Sequence, residues 1–140
     1  AIKGINEIIL GDLKRAEIIK SARVENNIAI SVCPPNIQDT VLAAQAADEL
    51  LNITGIQASF VFVKIDDDIY ISGRSLGEVN VQVIMEALGG GGHMNIAGTK
   101  LPAGKHIYDH RSFRISQRFK HFGVLQVVVH NITSNLKTSI

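Results

Sequence analysis

The chain has no second cysteine. Cys33 stands alone, so no internal disulfide can staple the fold, and an unpaired thiol favours a reducing compartment. No run approaches the roughly 18 apolar residues that a membrane-spanning helix needs. No signal-peptide pattern follows Ala1, and no internal repeat is visible. Because the first residue is not Met, the chain reads as a piece cut from something longer. Disorder is excluded as well: 46% of the residues are apolar and only 19% charged, enough to build a core. At 140 residues there is room for one domain that needs neither metal nor disulfide to fold.

The charges are few but unevenly placed. The net charge of +1 conceals 7 Lys/Arg against 12 Asp/Glu from Ala1 to Thr99, and 7 Lys/Arg against Asp109 alone from Lys100 to Ile140. Four of the five histidines share that basic tail. Such asymmetry can mark a nucleic-acid or membrane contact. The simpler reading is a basic segment facing an acidic body.

Hydrophobic periodicity predicts a first helix over 12–24, with Leu13, Ala16 and Ile19 as an approximate stripe. A strand follows over 27–32, ended by Pro34-Pro35. A second helix is predicted over 38–52, where Ala43, Ala46, Ala47 and Leu50 share one face. Strands over 56–65 and 69–74 form a hairpin around Asp66-Asp67-Asp68. Those three acids lack the periodic oxygens of a calcium loop and read as a solvated tip. A third helix is predicted over 78–88, with Val81, Ile84, Met85 and Leu88 inward and Glu78 at its positive end. Met94 to Leu101 reads as a strand. Ala103 to Gly123 is polar, basic and irregular. Beyond it Val124, Val128, Ile132, Leu136 and Ile140 recur every four residues, which favours a C-terminal helix from about Gln126. This order implies an α/β fold, a small mixed sheet covered by helices.

The strongest local signal is Gly89-Gly90-Gly91-Gly92-His93. Four consecutive glycines cost about 0.5–1 kcal/mol each relative to alanine, more than is needed to end a helix. Adjacent glycines let a ligand touch the backbone, and successive N–H groups can cradle an anion. The loop leads from a helix into a strand, so it is neither a Walker loop nor a dinucleotide fingerprint. His93 can donate to a phosphate oxygen. Arg74 and Ser75, between glycines at the end of a strand, offer a planar fork and a hydroxyl. His106, Asp109 and His110 have zinc-like spacing but no long helix to carry it, so they read as solvated. Cys33 has no basic partner and reads as structural.

The stretch from Arg74 to His93, followed by Ala97-Gly98, resembles the DHHA1 domain, the substrate-binding C-terminal domain of DHH phosphoesterases. The run from Ala43 to Val61 is similar to it too. Within that family the likeness is nearest to the end of GdpP-type cyclic-di-AMP phosphodiesterases of Gram-positive bacteria, and it covers about Asp12 to Leu101. The resemblance implies a DHHA1-like domain over 1–101, with 102–140 as a basic segment and helix packed on it. It implies that Arg74, Ser75, Gly89, Gly90, Gly91, Gly92 and His93 hold the phosphate of a cyclic dinucleotide or short oligonucleotide. It implies catalysis by an upstream DHH domain bearing two manganese ions. It also implies a cytoplasmic domain whose parent carries upstream membrane helices, a PAS-like sensor and a degenerate GGDEF domain.

No Asp-His-His motif is present, and the acids are not spaced for two metals. The chain alone is therefore expected to bear no catalytic or metal-binding residues, to hold no cofactor and to be inactive; turnover of cyclic-di-AMP with manganese would refute this. Two departures from the family pattern stand out. Ile96 replaces a small residue, and Ala103 to Gly123 looks like an insert. Its Lys105, Arg111, Arg114, Arg118 and Lys120, interspersed with Phe113, Phe119 and Phe122, leave a non-catalytic nucleic-acid-binding module as the alternative. Self-association as a homodimer through an exposed cleft face is a third possibility.

Overall fold

The computed structural model describes residues 2–102 and 122–135. The chain runs α1 (Ile2–Lys20), β1 (Arg23–Glu25), β2 (Ile28–Val32), α2 (Thr40–Leu51), β3 (Ala58–Ile65), β4 (Asp68–Ser75), α3 (Val81–Ala87), β5 (Gly91–Gly92), β6 (Ile96–Leu101) and α4 (Phe122–Asn135). The six strands form one sheet in the order β1-β2-β3-β4-β6-β5. Only β2 and β3 run parallel, and α2 is their crossover. The expected α/β class with a mixed sheet is what the chain adopts.

Helices cover both faces. On one, Ile28, Ile30, Phe60, Phe62, Ile69 and Ile71 pack with Val81, Ile84 and Met85 of α3 and with Leu125, Val128 and Ile132 of α4. On the other, Ala29, Val61 and Val63 pack with Ile18 of α1 and with Ala43, Ala46, Ala47 and Leu50 of α2. The three alanines leave no side chain between α2 and the sheet beyond Cβ. The Ser59 hydroxyl therefore reaches the Ala47 carbonyl at 2.6 Å. Asp39 caps α2, its carboxylate accepting from the N–H groups of Val41 and Leu42; such caps contribute about 1 kcal/mol. β3 is buried over its first six residues because both its faces are covered, which removes the usual alternation.

Several predicted boundaries move. α1 begins at Ile2, ten residues before the predicted start, and only Ile18 is fully buried. Ile5, Ile8, Ile9 and Leu13 stay exposed, so the apolar periodicity that locates helices is not aimed at this core. Arg15 ties α1 to α2 through Glu49 (2.6 Å) and Gln45 (3.1 Å). Val24 belongs to β1, not to the helix. The left-handed pair Asn26 and Asn27 (φ 51° and 65°) turns that strand back onto β2, as two-residue hairpins prefer. α3 starts at Val81 behind the cap Asn80, so Glu78 does not occupy the helix terminus predicted for it. Asp68 is already paired, opposite Ile65, which leaves Asp66 and Asp67 as the turn. α4 starts at Phe122, and its inward positions are Leu125, Val128 and Ile132. Of the irregular segment expected over 103–123, Phe122 and Gly123 instead open α4; the rest, with His106, Asp109 and His110, lies outside the described residues, as do Leu136 and Ile140. No helix among the described residues is long and apolar enough to cross a membrane.

Cys33 is buried after β2, its N–H donating to the Phe62 carbonyl at 2.8 Å. Burial first, and the Asp39 charge second, push its thiol up to about 12. A raised thiol pKa stabilises the fold fully below the ordinary thiol range. That contribution is lost as pH rises toward the folded value, because the unfolded chain deprotonates first. Native protein at pH 8 should therefore give no iodoacetamide adduct at Cys33 by mass spectrometry, and denatured protein a complete one. Rapid native labelling would contradict the assigned burial.

Candidate functional site

The glycine segment is folded more tightly than a loop. The Gly89 and Gly90 N–H groups donate back to the carbonyls of Glu86 and Met85, and the His93 N–H donates to Ile96 at 2.7 Å. Gly91 and Gly92 form β5, paired with Gly98 and Ala97 of β6. Met94 and Asn95 are the turn between them, and that turn is pinned to the body. The Asn95 carbonyl accepts from the Ser75 N–H and the Met94 carbonyl from the Val81 N–H.

This arrangement corrects the expectation of a nest of free N–H groups. Three of the five N–H groups from Gly89 to His93 are spent in these bonds, and the Gly91 N–H is spent in the ladder with Gly98. Because His93 and Ile96 form a hydrogen-bonded pair, the alternation of an antiparallel ladder makes Gly92 and Ala97 a non-bonded pair. The Gly92 N–H then points to the open edge of the sheet. Ser75 is also placed differently from the expectation. It is 3% exposed, and its hydroxyl lies 3.4 Å from the Met94 carbonyl, so it supports the turn from beneath.

Three of the glycines have structural reasons, and that of Gly89 is its left-handed backbone (φ 88°). A Cβ on Gly90 would stand 2.2 Å from the Gly98 oxygen, and one on Gly92 2.6 Å from the Ile96 oxygen. Gly91 has none: a Cβ there meets nothing within 4 Å, and its φ lies outside the left-handed region.

Register places a row of polar and small residues on the α2 side of the sheet. Arg74 lies opposite Ile96, Ser72 opposite Gly98, and Tyr70 opposite Lys100; Gly91 lies opposite Gly98. α2 covers β3 and β4, and α3 lies on the far face, where Thr99 donates to the Leu88 carbonyl at 3.0 Å. The α2 side of β6 and β5 is thus open among the described residues: Ile96 and Lys100 are exposed, Gly98 and Gly91 half-buried. Arg74 borders this platform. Its Nε donates to Asp48 at 2.7 Å and its Nη1 to the Gly73 carbonyl at 2.9 Å. The Arg74 side chain is 12% exposed and held in one orientation by these two bonds. At the other end the Lys100 ammonium lies 5.6 Å from the Tyr70 ring centroid and 3.4 Å from Asp68. The Tyr70 phenol first, then Asp68, hold it above the usual ammonium range.

A concavity among the described residues lies elsewhere. A cleft of about 250 Å³ between β1, β2 and α4 is lined by Ser21, Arg23, Ile30, Val32 and Asn131. Arg23 donates to Asn131 across it, and none of the predicted site residues lines it. Among the described residues the platform is an open surface, not a pocket. Among the described residues no three His, Cys, Asp or Glu converge to hold a metal.

Residues 25–117 match the model of the DHHA1 domain. The chain belongs to the DHHA1 domain family. This DHHA1 domain is 47% identical over 104 residues to the cyclic-di-AMP phosphodiesterase GdpP of Bacillus subtilis, which covers 71% of the chain and 16% of that protein. It is 62% identical over 63 residues to the cyclic-di-AMP phosphodiesterase PdeA of Listeria monocytogenes, covering 44% of the chain and 10% of that protein. Its fold is shared with an exopolyphosphatase-related protein from Bacteroides fragilis at a TM-score of 0.59 and 17% identity, over 83% of this chain and 36% of that one. The DHHA1 domain thus spans about one-sixth of the Bacillus relative's length, and the Bacillus and Listeria relatives are longer, multidomain phosphodiesterases. The match extends past Leu101 into the segment expected to be an insert.

Proposed function

We infer that this domain holds the phosphate and nucleotide of a cyclic dinucleotide, such as cyclic-di-AMP, or of a short oligonucleotide. Hydrolysis would fall to a separate manganese-bearing domain of the longer chain. The observation that carries this reading is Gly91. It is a glycine that neither sterics nor backbone conformation requires, on a platform bordered by Arg74 and His93. A ligand resting on the backbone is a physical reason for it.

The residues divide the work. Arg74, anchored by Asp48, presents a fixed fork edge to a phosphate oxygen. Gly92 offers its outward N–H, and the exposed imidazole of His93 donates a third hydrogen bond. Charge-assisted hydrogen bonds of this kind are about twice as strong as neutral ones. Ser75 and Asn95 act by fixing the turn that carries His93. In this reading the domain's part is binding and orientation.

Titration with cyclic-di-AMP and with a short RNA, each at two salt concentrations, tests the reading. The expected result is saturable cyclic-di-AMP binding that weakens at least tenfold in His93→Ala. Equal binding by His93→Ala would refute the site. Binding of RNA alone, weakening steeply with salt, would favour a nucleic-acid module that uses the basic segment over 105–120.

A further inference from the structure

Resting on the reading that the domain holds a nucleotide, we propose that the base lies flat on the strip of sheet formed by Ser72, Gly98 and Gly91, against the side chain of Ile96. The strip crosses three adjacent strands, because Ser72 pairs with Gly98 and Gly98 with Gly91. Adjacent strands lie about 4.8 Å apart, so it is roughly 10 Å wide. Two of its three residues have no side chain, and the third is a serine. Its surface is therefore peptide planes, against which a planar heteroaromatic ring can pack face-on.

Side chains wall the strip at both ends. Two residues along the strands on one side come Arg74 and Ile96, with His93 opposite Ile96 through its backbone bond. Two residues along on the other side come Tyr70 and Lys100. The walls stand four residues apart, about 13 Å between Cα rows, room for a base between them. Among the described residues Ile96 is the one aliphatic side chain of this open surface. It is 54% exposed beside an arginine, where a solvated strand would more naturally carry a polar group.

The arrangement assigns a direction to the ligand. Phosphate sits at the Arg74, Gly92 and His93 end, and the base extends along the sheet toward Lys100. The Ser72 hydroxyl lies at the base edge.

Two probes that differ only in the base separate this subsite from the phosphate site: adenosine monophosphate and ribose 5-phosphate, titrated into the 140-residue chain and followed by amide NMR. The expected result is tighter binding of adenosine monophosphate by at least tenfold. Ring-current shifts should appear at the Gly91 and Gly98 amides with that probe alone. Ile96→Asn on the exposed face of β6 and Ser72→Val at a half-buried position of β4 should each cut that preference several-fold and leave ribose 5-phosphate unchanged. If both probes bind and the preference is absent, or survives both substitutions, the base subsite is overturned while the phosphate site stands. If neither probe nor cyclic-di-AMP binds, the nucleotide reading falls and the subsite with it.

Discussion

Gly91→Val is expected to abolish cyclic-di-AMP binding while leaving the melting temperature close to that of wild type. The two halves of that result have separate causes. Stability is spared because the new Cβ meets nothing within 4 Å and the backbone there is not left-handed. Gly91 also sits in a strand, where a β-branched residue is favoured over glycine. Binding is lost because the isopropyl group stands on the platform at the level a ligand would occupy. Displacing a ligand by the width of a side chain breaks the short hydrogen bonds at Gly92 and His93, whose strength falls steeply with distance. A loss of at least a hundredfold by calorimetry, with an unchanged melt, is the expected pair. Unchanged affinity would mean that the ligand does not touch β5.

Gly90→Ala is expected to do the reverse, unfolding the domain at lower temperature whether or not ligand is present. Its Cβ would lie 2.2 Å from the Gly98 oxygen, 2.5 Å from the Thr99 Cβ and 2.7 Å from the Thr99 Cα. Two of those atoms are backbone and cannot rotate away. Relief requires β6 to move from the end of α3, which strains the Gly90 to Met85 and Thr99 to Leu88 hydrogen bonds (2.7 and 3.0 Å). Forced overpacking of this kind costs ~3 kcal/mol, a fall of roughly 10 °C in melting temperature for a domain of this size. Urea denaturation should show a lower midpoint with an unchanged slope. A melt like that of wild type would show that β5 does not approach β6 this closely. Adjacent glycines would thus fail in opposite ways, one in folding and one in binding.

Much of this was legible in the residues. α2 was, because Ala43, Ala46, Ala47 and Leu50 repeat at helical spacing and all four are buried. The hairpin of β3 and β4 was, because two β-rich runs flank an acidic turn. The glycine run and the Arg74-Ser75 pair also located the domain family. α1 was legible only in part. The residues that begin it, Ile5, Ile8 and Ile9, are exposed, so their pattern is not aimed at this core and cannot mark its boundary. The helix predicted from Glu78 starts three residues late because Asn80 supplies the cap.

The roles within the glycine run were not legible. Nothing local separates Gly90, which is pressed against Gly98, from Gly91, which faces open space. Glycine has low strand propensity, so β5 exists only because β6 lies beside it and α3 delivers it there. Ser75 and Arg74 are neighbours with the same apparent promise, yet strand alternation sends one into the core and the other to Asp48.

By itself the sequence determined which groups are present and how each segment folds locally: a capped alanine helix, a continuous apolar strand, a backbone stripped of side chains beside an imidazole. Those properties depend on neighbours a few residues away. The tertiary structure alone decided which side of the sheet stays open. α2 covers β3 and β4 on one face and α3 covers β6 and β5 on the other, so among the described residues the uncovered half-face carries Ile96, Gly98 and Gly91, with Arg74 at its border. Contacts between residues far apart in the chain make that choice, and no local pattern encodes it.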